Sequence, residues 1–87
     1  TIKGNNLDNV LRGSELNDII EGGGGSDDFL LYVGMGNDKV TDFNSDEGDE
    51  VLLAYGLSGY QFANTSTGAI YSLEDGSSLE LVYEFIV

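Results

Sequence analysis

A nine-residue repeat in the first half of the chain constrains the fold more than any other feature. Residues 4–41 align as four units, which read GNNLDNVLR, GSELNDIIE, GGGGSDDFL and, after Leu31 and Tyr32, VGMGNDKVT. The sixth position is polar in every unit and the eighth is apolar: Asn9, Asp18, Asp27 and Asp38, and then Leu11, Ile20, Phe29 and Val40. Self-similarity at a fixed period is the sequence signature of a stacked repeat architecture.

The density of glycine and the period of the repeat exclude a helix and favour a turn followed by a short strand. One unit supplies a tight turn and a strand of about three residues at roughly 3.3 Å each. Two units, or eighteen residues, are therefore needed for one coil. Successive coils should stack as parallel strands about 4.8 Å apart, which predicts that Asn9 lies beside Asp27 and Asp18 beside Asp38.

The charge of the chain points to a cation as its partner. The 87 residues include 16 acidic and three basic ones, a formal net charge of -13. Stacked carboxylates push one another toward protonation or force the turns apart, and a divalent ion between them removes that conflict. Calcium takes six to eight oxygen ligands at about 2.3–2.6 Å, backbone carbonyls included. Glycine lets successive carbonyls point at one ion, so the repeat predicts calcium sites.

Several other classes of protein are disfavoured by composition. Cysteine and histidine are absent, which removes disulfides, the usual zinc ligands and the usual general base. No apolar run approaches the roughly 20 residues that span a bilayer, and the N-terminus lacks the pattern of a signal peptide. The acidic charge disfavours nucleic acid as a partner. We expect one small monomeric domain, residues 1–87, whose hydrophobic core alone is marginal.

From residue 42 onward the period disappears and longer apolar stretches alternate with turn residues. FNSDEGDE is typical of a polar loop, VLLAYG and YQFANTS are typical of strands, and residues 68–87 favour a hairpin with Asp75-Gly76 as its tight turn. Residues 42–87 are therefore predicted to form an antiparallel β cap that closes the open end of the stack of residues 4–41.

The third unit resembles a known family of calcium-binding repeats. GGGGSDDFL matches the nine-residue motif GGxGxDxUx of RTX, or hemolysin-type, proteins at every specified position, and VGMGNDKVT departs only at its first residue. Asp42-Phe43 and EGDEVLL are similar to the stretch that closes such repeats. The resemblance implies an all-β fold: about two coils of right-handed parallel β-roll, with calcium held between turns on the same edge, followed by the cap.

The resemblance also implies the ligands of two or more calcium ions. One site would take the carbonyls of Asn5 and Leu7 and the side chain of Asn9, with the carbonyls of Gly22 and Gly24 and with Asp27. A second would take the carbonyls of Ser14 and Leu16 and the side chain of Asp18, with the carbonyls of Val33 and Met35 and with Asp38. The outward turns, with Gly23, Gly25 and Asp27 and with Gly34, Gly36 and Asp38, would hold further ions if Asp42, Asp46 or Asp49 reaches them.

The first two units depart from the family motif. Leu7 and Leu16 stand where the motif has glycine, and Asn9 stands where it has an acid. We therefore expect the first site to be the weakest. We also expect a different turn in these two units, with both leucines tucked into the roll.

The expected function is that of a calcium-binding module, not itself an enzyme, that folds on binding calcium and supports secretion and stability of a larger extracellular protein. The adjacent acids Asp27-Asp28 and Asp46-Glu47 should point to opposite faces of a strand, unlike the paired acids of glycosidases. The C-terminal EFIV, residues 84–87, is similar to the ending of proteins exported by type I ABC systems. Two alternatives stay open: a polysaccharide-binding accessory module, as in the alginate epimerases whose modules the chain also resembles, and an adhesin repeat.

Overall fold

The computed structural model describes residues 2–54, 57 and 59–83, and these residues form short β-strands and one 3-10 helix. The strands are β1 Ile2–Lys3, β2 Val10–Leu11, β3 Ile19–Glu21, β4 Asp28–Leu31, β5 Asn37–Phe43, β6 Glu50–Leu53, β7 Gln61–Asn64, β8 Gly68–Ser72 and β9 Ser78–Tyr83. The 3-10 helix, Ser45–Glu47, lies in the predicted polar loop. The C-terminal residues 84–87 lie outside the described residues, as does part of the predicted strand VLLAYG.

The strands form two sheets, between which the chain alternates. The large sheet has the order β1-β3-β5-β9-β8-β7, and the small sheet has the order β2-β4-β6. Every pairing among the first six strands is parallel. The predicted all-β fold with a mostly parallel sheet is therefore confirmed.

The strand register follows the predicted stacking of alternate units. Val10 pairs with Asp28, and Ile19 pairs with Lys39. As a result, the amide of Asn9 meets Asp27 across 18 positions and the amide of Asp18 meets Asp38 across 20. The two extra positions on the second pairing correspond to the insertion of Leu31 and Tyr32 before the fourth unit.

The register continues beyond residue 41, where the sequence pattern was expected to end. Asp28 pairs with Glu50 and Phe29 with Val51, so residues 44–52 lie in register with the third unit. These residues read NSDEGDEVL, with Asp49 in the sixth position and Val51 in the eighth. A fifth unit, which lacks glycine at its first, second and fourth positions, therefore belongs to the stack.

The cap is antiparallel in part. Strands β7, β8 and β9 pair antiparallel with one another, as predicted, but β9 pairs parallel with β5 through Val40 and Leu81. The cap therefore continues the large sheet. The connection between β8 and β9 is a five-residue loop, 73–77, rather than the predicted two-residue turn, and Gly76 in this loop has a φ of 91°.

The core lies between the two sheets and is built from the eighth-position residues. Ile20, Phe29 and Val40 are buried there, as are Leu79 and Leu81 of β9. Because successive side chains of a strand point to opposite faces, the apolar residues at alternate positions of β9 meet the same core. No helix within residues 2–54, 57 and 59–83 is long and apolar enough to cross a membrane.

Candidate metal centre

The first six residues of each unit form turns that alternate between the two edges of the stack. Turns 1, 3 and 5, residues 4–9, 22–27 and 44–49, each lead from the large sheet to the small sheet. We call this side the odd edge. Turns 2 and 4, residues 13–18 and 33–38, return from the small sheet to the large one and form the even edge. Loop 73–77 contacts turn 4, because the amide of Gly34 donates to Asp75 Oδ2 at 2.8 Å.

The sixth-position side chains form a ladder of hydrogen bonds along each edge. On the odd edge the amide of Asn9 donates to Asp27 Oδ1 at 2.9 Å, and the amide of Asp27 donates to Asp49 Oδ1 at 2.8 Å. On the even edge the amide of Asp18 donates to Asp38 Oδ1 at 2.9 Å. Each of these bonds uses only one oxygen of the later carboxylate.

The second oxygens of Asp27 and Asp38 are buried and have no hydrogen-bond partner. The two residues are 0% and 2% exposed, so water is kept from these atoms. A buried charged group without a partner is costly. Burial raises the pKa of both carboxyls, assisted by the negative charges of Asp49, Asp42 and Asp8 near Asp27 and of Asp18 near Asp38. A cation beside each orphaned oxygen would remove that cost.

Glycine at the first position of a unit leaves the space into which these oxygens point. A Cβ atom added at Gly13 would collide with Asp38 Oδ2 and lie 3.1 Å from Asp18 Oδ2. One added at Gly22 would lie 2.5 Å from Asp27 Oδ2. At Gly4 it would meet the carbonyl of Gly22 and lie 2.5 Å from Asn9 Oδ1. Oxygen atoms of two turns therefore converge at the first position of units 1 and 2.

Backbone carbonyls of the earlier turn also approach the later turn. A Cβ added at Gly23 would lie 2.5 Å from the carbonyl oxygen of Asn5, and one added at Gly25 would lie 2.9 Å from that of Leu7. On the even edge a Cβ at Gly36 would lie 3.0 Å from the carbonyl oxygen of Leu16. The structure therefore brings three of the predicted carbonyl ligands to the gaps between turns.

Turns 3 and 4 depend on glycine for their backbone conformation as well. The φ values of Gly23, Gly25, Gly34 and Gly36 are 83°, 80°, 86° and 75°. Residues other than glycine rarely adopt this left-handed backbone conformation. The backbone of turns 3 and 4 therefore requires glycine at these four positions.

Turns 1 and 2 have a different conformation, as predicted from their missing glycines. No described residue other than glycine has a positive φ. Instead, Asn5 Oδ1 accepts from the amide of Leu7 at 2.9 Å and Ser14 Oγ accepts from the amide of Leu16 at 3.2 Å, which are side-chain-mediated turns. The prediction that Leu7 and Leu16 tuck into the roll is wrong, because they are 69% and 74% exposed.

The sixth side chains of turns 1 and 2 fold back onto their own turns. Asn9 Oδ1 accepts from the amide of Asn5 at 3.0 Å. Asp18 Oδ2 accepts from Ser14 Oγ at 2.9 Å and from the amide of Ser14 at 2.7 Å. These bonds to Ser14 lower the pKa of Asp18, so its carboxylate is stable as an anion.

The predicted second site is assembled only in part. The hydroxyl of Tyr32 donates to the carbonyl of Gly13 at 2.5 Å. It also lies 3.3 Å from the carbonyl oxygen of Ser14, which was a predicted ligand. Val33 is exposed, and no atom of turn 2 lies within 4 Å of a Cβ added at Gly34. Met35 is buried in the hydrophobic core. The first half of turn 4 therefore faces loop 73–77 more than it faces turn 2.

Two of the three acids predicted to reach the outward turns do so. Asp42 accepts from the amides of Gly22 and Gly23 at 2.9 and 3.0 Å. Asp49 is buried, and its second oxygen accepts from the amide of Asn44 at 3.0 Å. Asp46 stays exposed, with its amide donating to Asn44. Turn 5 thus lies on turn 3, and Asp27 lies between them.

A ladder of fifth-position side chains was missed by the sequence reasoning. Asp8 Oδ1 accepts from the amide of Ser26 at 2.8 Å, and Asn17 Oδ1 accepts from the amide of Asn37 at 2.9 Å. The sequence contains a pattern that could have predicted this ladder, since all four units have a short polar residue at the fifth position.

Each gap between turns holds at most two acidic sixth-position side chains. Accordingly, no group of three acidic side chains placed to hold a metal occurs in the described part of the chain. Comparison of the chain with models of known protein families, with curated proteins and with solved structures found no match.

Proposed function

We propose that the chain is an RTX-type calcium-binding β-roll module, in which calcium ions lie between consecutive turns of each edge. The observation that carries this proposal is the pair of buried, unpartnered oxygens, Asp27 Oδ2 and Asp38 Oδ2. The chain has 16 acidic residues and only three basic ones, so its own cations are too few to neutralise its carboxylates. A divalent ion supplies two positive charges at the point where the oxygens converge.

The donor set favours calcium over other metals. The available ligands are carboxylate, amide and backbone carbonyl oxygens, since the chain has no cysteine or histidine. Oxygen ligands suit the hard cations, and softer transition metals prefer nitrogen and sulfur. Calcium also tolerates the irregular, carbonyl-rich geometry of a turn better than magnesium, which keeps an octahedral shell and several waters.

Three gaps differ in the charge that they offer an ion. The gap between turns 2 and 4 has Asp18 and Asp38, and the gap between turns 3 and 5 has Asp27 and Asp49. The gap between turns 1 and 3 has Asp27 with the neutral Asn9. We therefore propose two or more ions, with the weakest affinity in the gap that contains Asn9.

Calcium binding and folding would form one event. The oxygens come from turns far apart in sequence, so the site does not exist in the unfolded chain, and the binding energy becomes folding energy. We propose that the module stays loose where calcium is scarce and folds in extracellular calcium after export of a larger protein by a type I ABC system. The module itself would have no catalytic role.

The test is the stability of an Asp27→Asn/Asp38→Asn variant with and without calcium. The two substitutions keep the shape of the side chains and remove their charge. In chelator we expect the variant to be more stable than the wild type, because two buried charges are gone. In millimolar calcium we expect it to be less stable, because ions are lost. An Asp46→Asn variant, which changes an exposed acid, is the matched control.

Far-ultraviolet circular dichroism measures both conditions, through urea unfolding in calcium and through the folded fraction without urea in chelator. The proposal predicts that the stability order of wild type and variant reverses between chelator and calcium. If wild type and variant differ by the same amount in both conditions, or if calcium leaves the wild-type spectrum and stability unchanged, the proposal is wrong.

A second candidate function, binding of a polysaccharide, is favoured by an aromatic cluster on the cap. Tyr60 and Phe62 are 40% and 49% exposed, and both contact Tyr71. The rings are tilted by 44° and 60° to that of Tyr71, so they make a poorer platform for a sugar ring than a flat stripe. Titration with neutral and anionic oligosaccharides tests this function, and binding that a Phe62→Ala variant loses would support it.

A further inference from the structure

The cap contains a stretch of sequence from which charge is excluded. Residues 51–73 include no Asp, Glu, Lys or Arg, so all 16 acids and all three bases lie elsewhere. This stretch forms β7 and β8 and most of β6. The neighbouring strands β7 and β8 therefore carry no charged residue.

The strand β7 is an unprotected sheet edge, unlike the other three terminal strands of the described sheets. Both β1 and β2 have two residues, with Lys3 in one and Arg12 directly after the other, and β6 begins with the charged Glu50. By contrast, β7 has four exposed residues, QFAN, without charge, proline or glycine. Proteins usually protect edges by short strands, charge or proline, because an open edge pairs with other chains.

The register of the hairpin identifies which backbone groups of β7 point away from the sheet. The amide of Thr65 donates to the carbonyl of Gly68 at 3.0 Å, and Ala63 pairs with Ile70. Antiparallel strands alternate between residues that face the partner strand and residues that face away. Ala63 therefore directs its N–H and C=O groups to β8. Phe62 and Asn64 direct theirs outward, where no strand of the described residues pairs with β7.

We propose that β7 pairs antiparallel with β7 of a second copy of this chain, about a two-fold axis at Ala63. The outward groups then fix the register: Phe62 bonds to Asn64 of the partner subunit, and Asn64 bonds to Phe62 of the partner subunit. Ala63 faces its own copy across the axis in a close, non-hydrogen-bonded pair. The large sheet of six strands becomes continuous across the two subunits.

The charge distribution favours this edge for contact between two copies. Two chains that each carry a charge of -13 repel one another wherever their acidic turns approach. Strands β9 and β8 separate β7 from β5, which places the nearest acidic repeat strand about 14 Å from the edge at a spacing of about 4.8 Å per strand. Physiological salt screens charges over about 8 Å, so the acidic repeats of the two copies repel little across this edge. The nearer acids are Glu80 of β9, two strands away, and Glu74, which approaches Gly59 before β7.

The pairing also covers apolar surface. Phe62 is 49% exposed although its side chain lies on the same sheet face as the core residue Leu79, because β7 extends beyond the small sheet. A second β7 would bring Phe62 of the partner subunit to the same face. The monomer expected from composition took no account of this edge, and the proposal does not depend on which cation the turns bind.

The test is the solution mass of the full chain, measured by sedimentation equilibrium in calcium from micromolar to millimolar concentration. We expect the weight-average mass to rise from 9.3 kDa toward twice that value. Ala63→Lys and Ala63→Glu each place two like charges opposite one another on the axis, which destabilises such a pair, and both variants should remain monomeric. An equimolar mixture of the two should associate again, and Ala63→Thr, a neutral strand-forming control, should associate like the wild type.

Circular dichroism establishes that each variant is folded, which is expected because Ala63 is exposed. Restoration of the dimer by mixing opposite charges would support pairing at the axis, since no merely structural role of Ala63 predicts it. A wild-type chain that stays monomeric at millimolar concentration would overturn the proposal. So would an Ala63→Lys variant that associates as the wild type does.

Discussion

Turns 1 and 2 and turns 3 and 4 realise the same nine-residue repeat in two ways. In the first pair, Asn5 and Ser14 bond the amide two residues on, and the sixth side chains return to their own turns. In the second pair, glycines with left-handed φ values replace those side-chain turns. The sixth side chains of this pair accept from amides of the earlier turn on the same edge. Only the second pair leaves buried carboxylate oxygens without partners.

A turn with side-chain hydrogen bonds therefore satisfies its sixth side chain within the turn, whereas the glycine turn does not. Asn9 Oδ1 and Asp18 Oδ2 each accept a hydrogen bond within their own turn. Asp27 and Asp38 use one oxygen to bond the earlier turn, and the other oxygen is buried without a hydrogen-bond partner. If calcium binds as proposed, the first pair would support the stack without an ion, and the second pair would depend on one.

The largest effect is expected when the space between the turns is filled. Gly13→Ala places a methyl group against Asp38 Oδ2, and Gly22→Ala places one 2.5 Å from Asp27 Oδ2. Overpacking of this kind costs about 1–3 kcal/mol, and here it also occupies the proposed ion position. We expect each variant to raise the calcium concentration at half-folding by about tenfold or more, as measured by circular dichroism.

The matched control for these variants is Gly24→Ala. Its added Cβ would lie 3.2 Å from Asn6 Oδ1, a side-chain atom that can move, and the φ of Gly24 is not in the left-handed region. We expect its calcium dependence to stay close to that of the wild type. A Gly24→Ala variant as impaired as Gly13→Ala would show that any added methyl group in a turn is harmful, and the ion position would lose its support.

The next effect concerns the two turn conformations. Gly25→Ala forces a left-handed φ of 80° on alanine and brings Cβ to 2.9 Å from the carbonyl oxygen of Leu7, which should cost about 1–3 kcal/mol. The reverse change, Leu7→Gly, loosens a turn that has no positive φ and should cost only about 0.5–1 kcal/mol. Urea unfolding in calcium measures both. Equal costs would mean that the two turn types do not differ in their need for glycine.

The sequence predicted the local part of this architecture because that part is encoded within each unit. Each unit specifies one turn and one strand through its polar sixth residue, its apolar eighth residue and the glycines of its turn. The stacking of units follows from the period. This placed Asn9 beside Asp27 and Asp18 beside Asp38. It also indicated that Leu7 and Leu16 change the turn, but not that both side chains would face solvent.

The parts that sequence reasoning missed depend on pairing between distant segments. The fifth unit lacks the glycines of the motif, and its position is set by the pairing of β6 with β4. Leu79 and Leu81 of β9 are buried, but nothing in the sequence of this strand identifies β5 as its parallel neighbour. Likewise, the hydrogen bond from the hydroxyl of Tyr32, a residue of the two-residue insertion, to the carbonyl of Gly13 joins residues 19 positions apart.

A smaller effect is expected from pH in the absence of calcium. Burial raises the pKa of Asp27 and Asp38 above the ordinary value of 3.8 in the folded chain. A raised folded pKa contributes stability that is lost as pH rises through it, so the metal-free chain should become more stable as pH falls from neutral toward 3.8. Asp18 and Asp75 have lowered pKa values and oppose this gain only at lower pH.

The measurement is the folded fraction against pH in chelator, by circular dichroism, for the wild type and for Asp27→Asn/Asp38→Asn. The variant has no carboxyl at either position, so its folded fraction should change less over the same window. Parallel curves for the two proteins would mean that the buried carboxyls do not govern the metal-free state, and the contrast between the turn pairs would have no electrostatic basis.

The smallest effect is expected from Ser14→Ala, which breaks the side-chain turn of unit 2. The change removes the hydroxyl that accepts from the amide of Leu16 at 3.2 Å and donates to Asp18 Oδ2 at 2.9 Å. The amide of Ser14 still donates to Asp18 at 2.7 Å, so only part of the local network is lost. The pKa of Asp18, which the hydroxyl of Ser14 lowers most, should rise toward its ordinary value, as measured by nuclear magnetic resonance.

The effect of Ser14→Ala on stability should depend on calcium, and this dependence tests whether the two turn pairs share one ion. In chelator the variant should be slightly less stable than the wild type, with Ser45→Ala, an exposed serine of turn 5, as control. In calcium the deficit should shrink, because the released Asp18 carboxylate lies beside Asp38 Oδ2 at Gly13 and is free to bind the ion there. An equal deficit in both conditions would mean that Asp18 bonds only within its own turn. Asp38 would then be the only sixth-position carboxylate to bind the ion on the even edge.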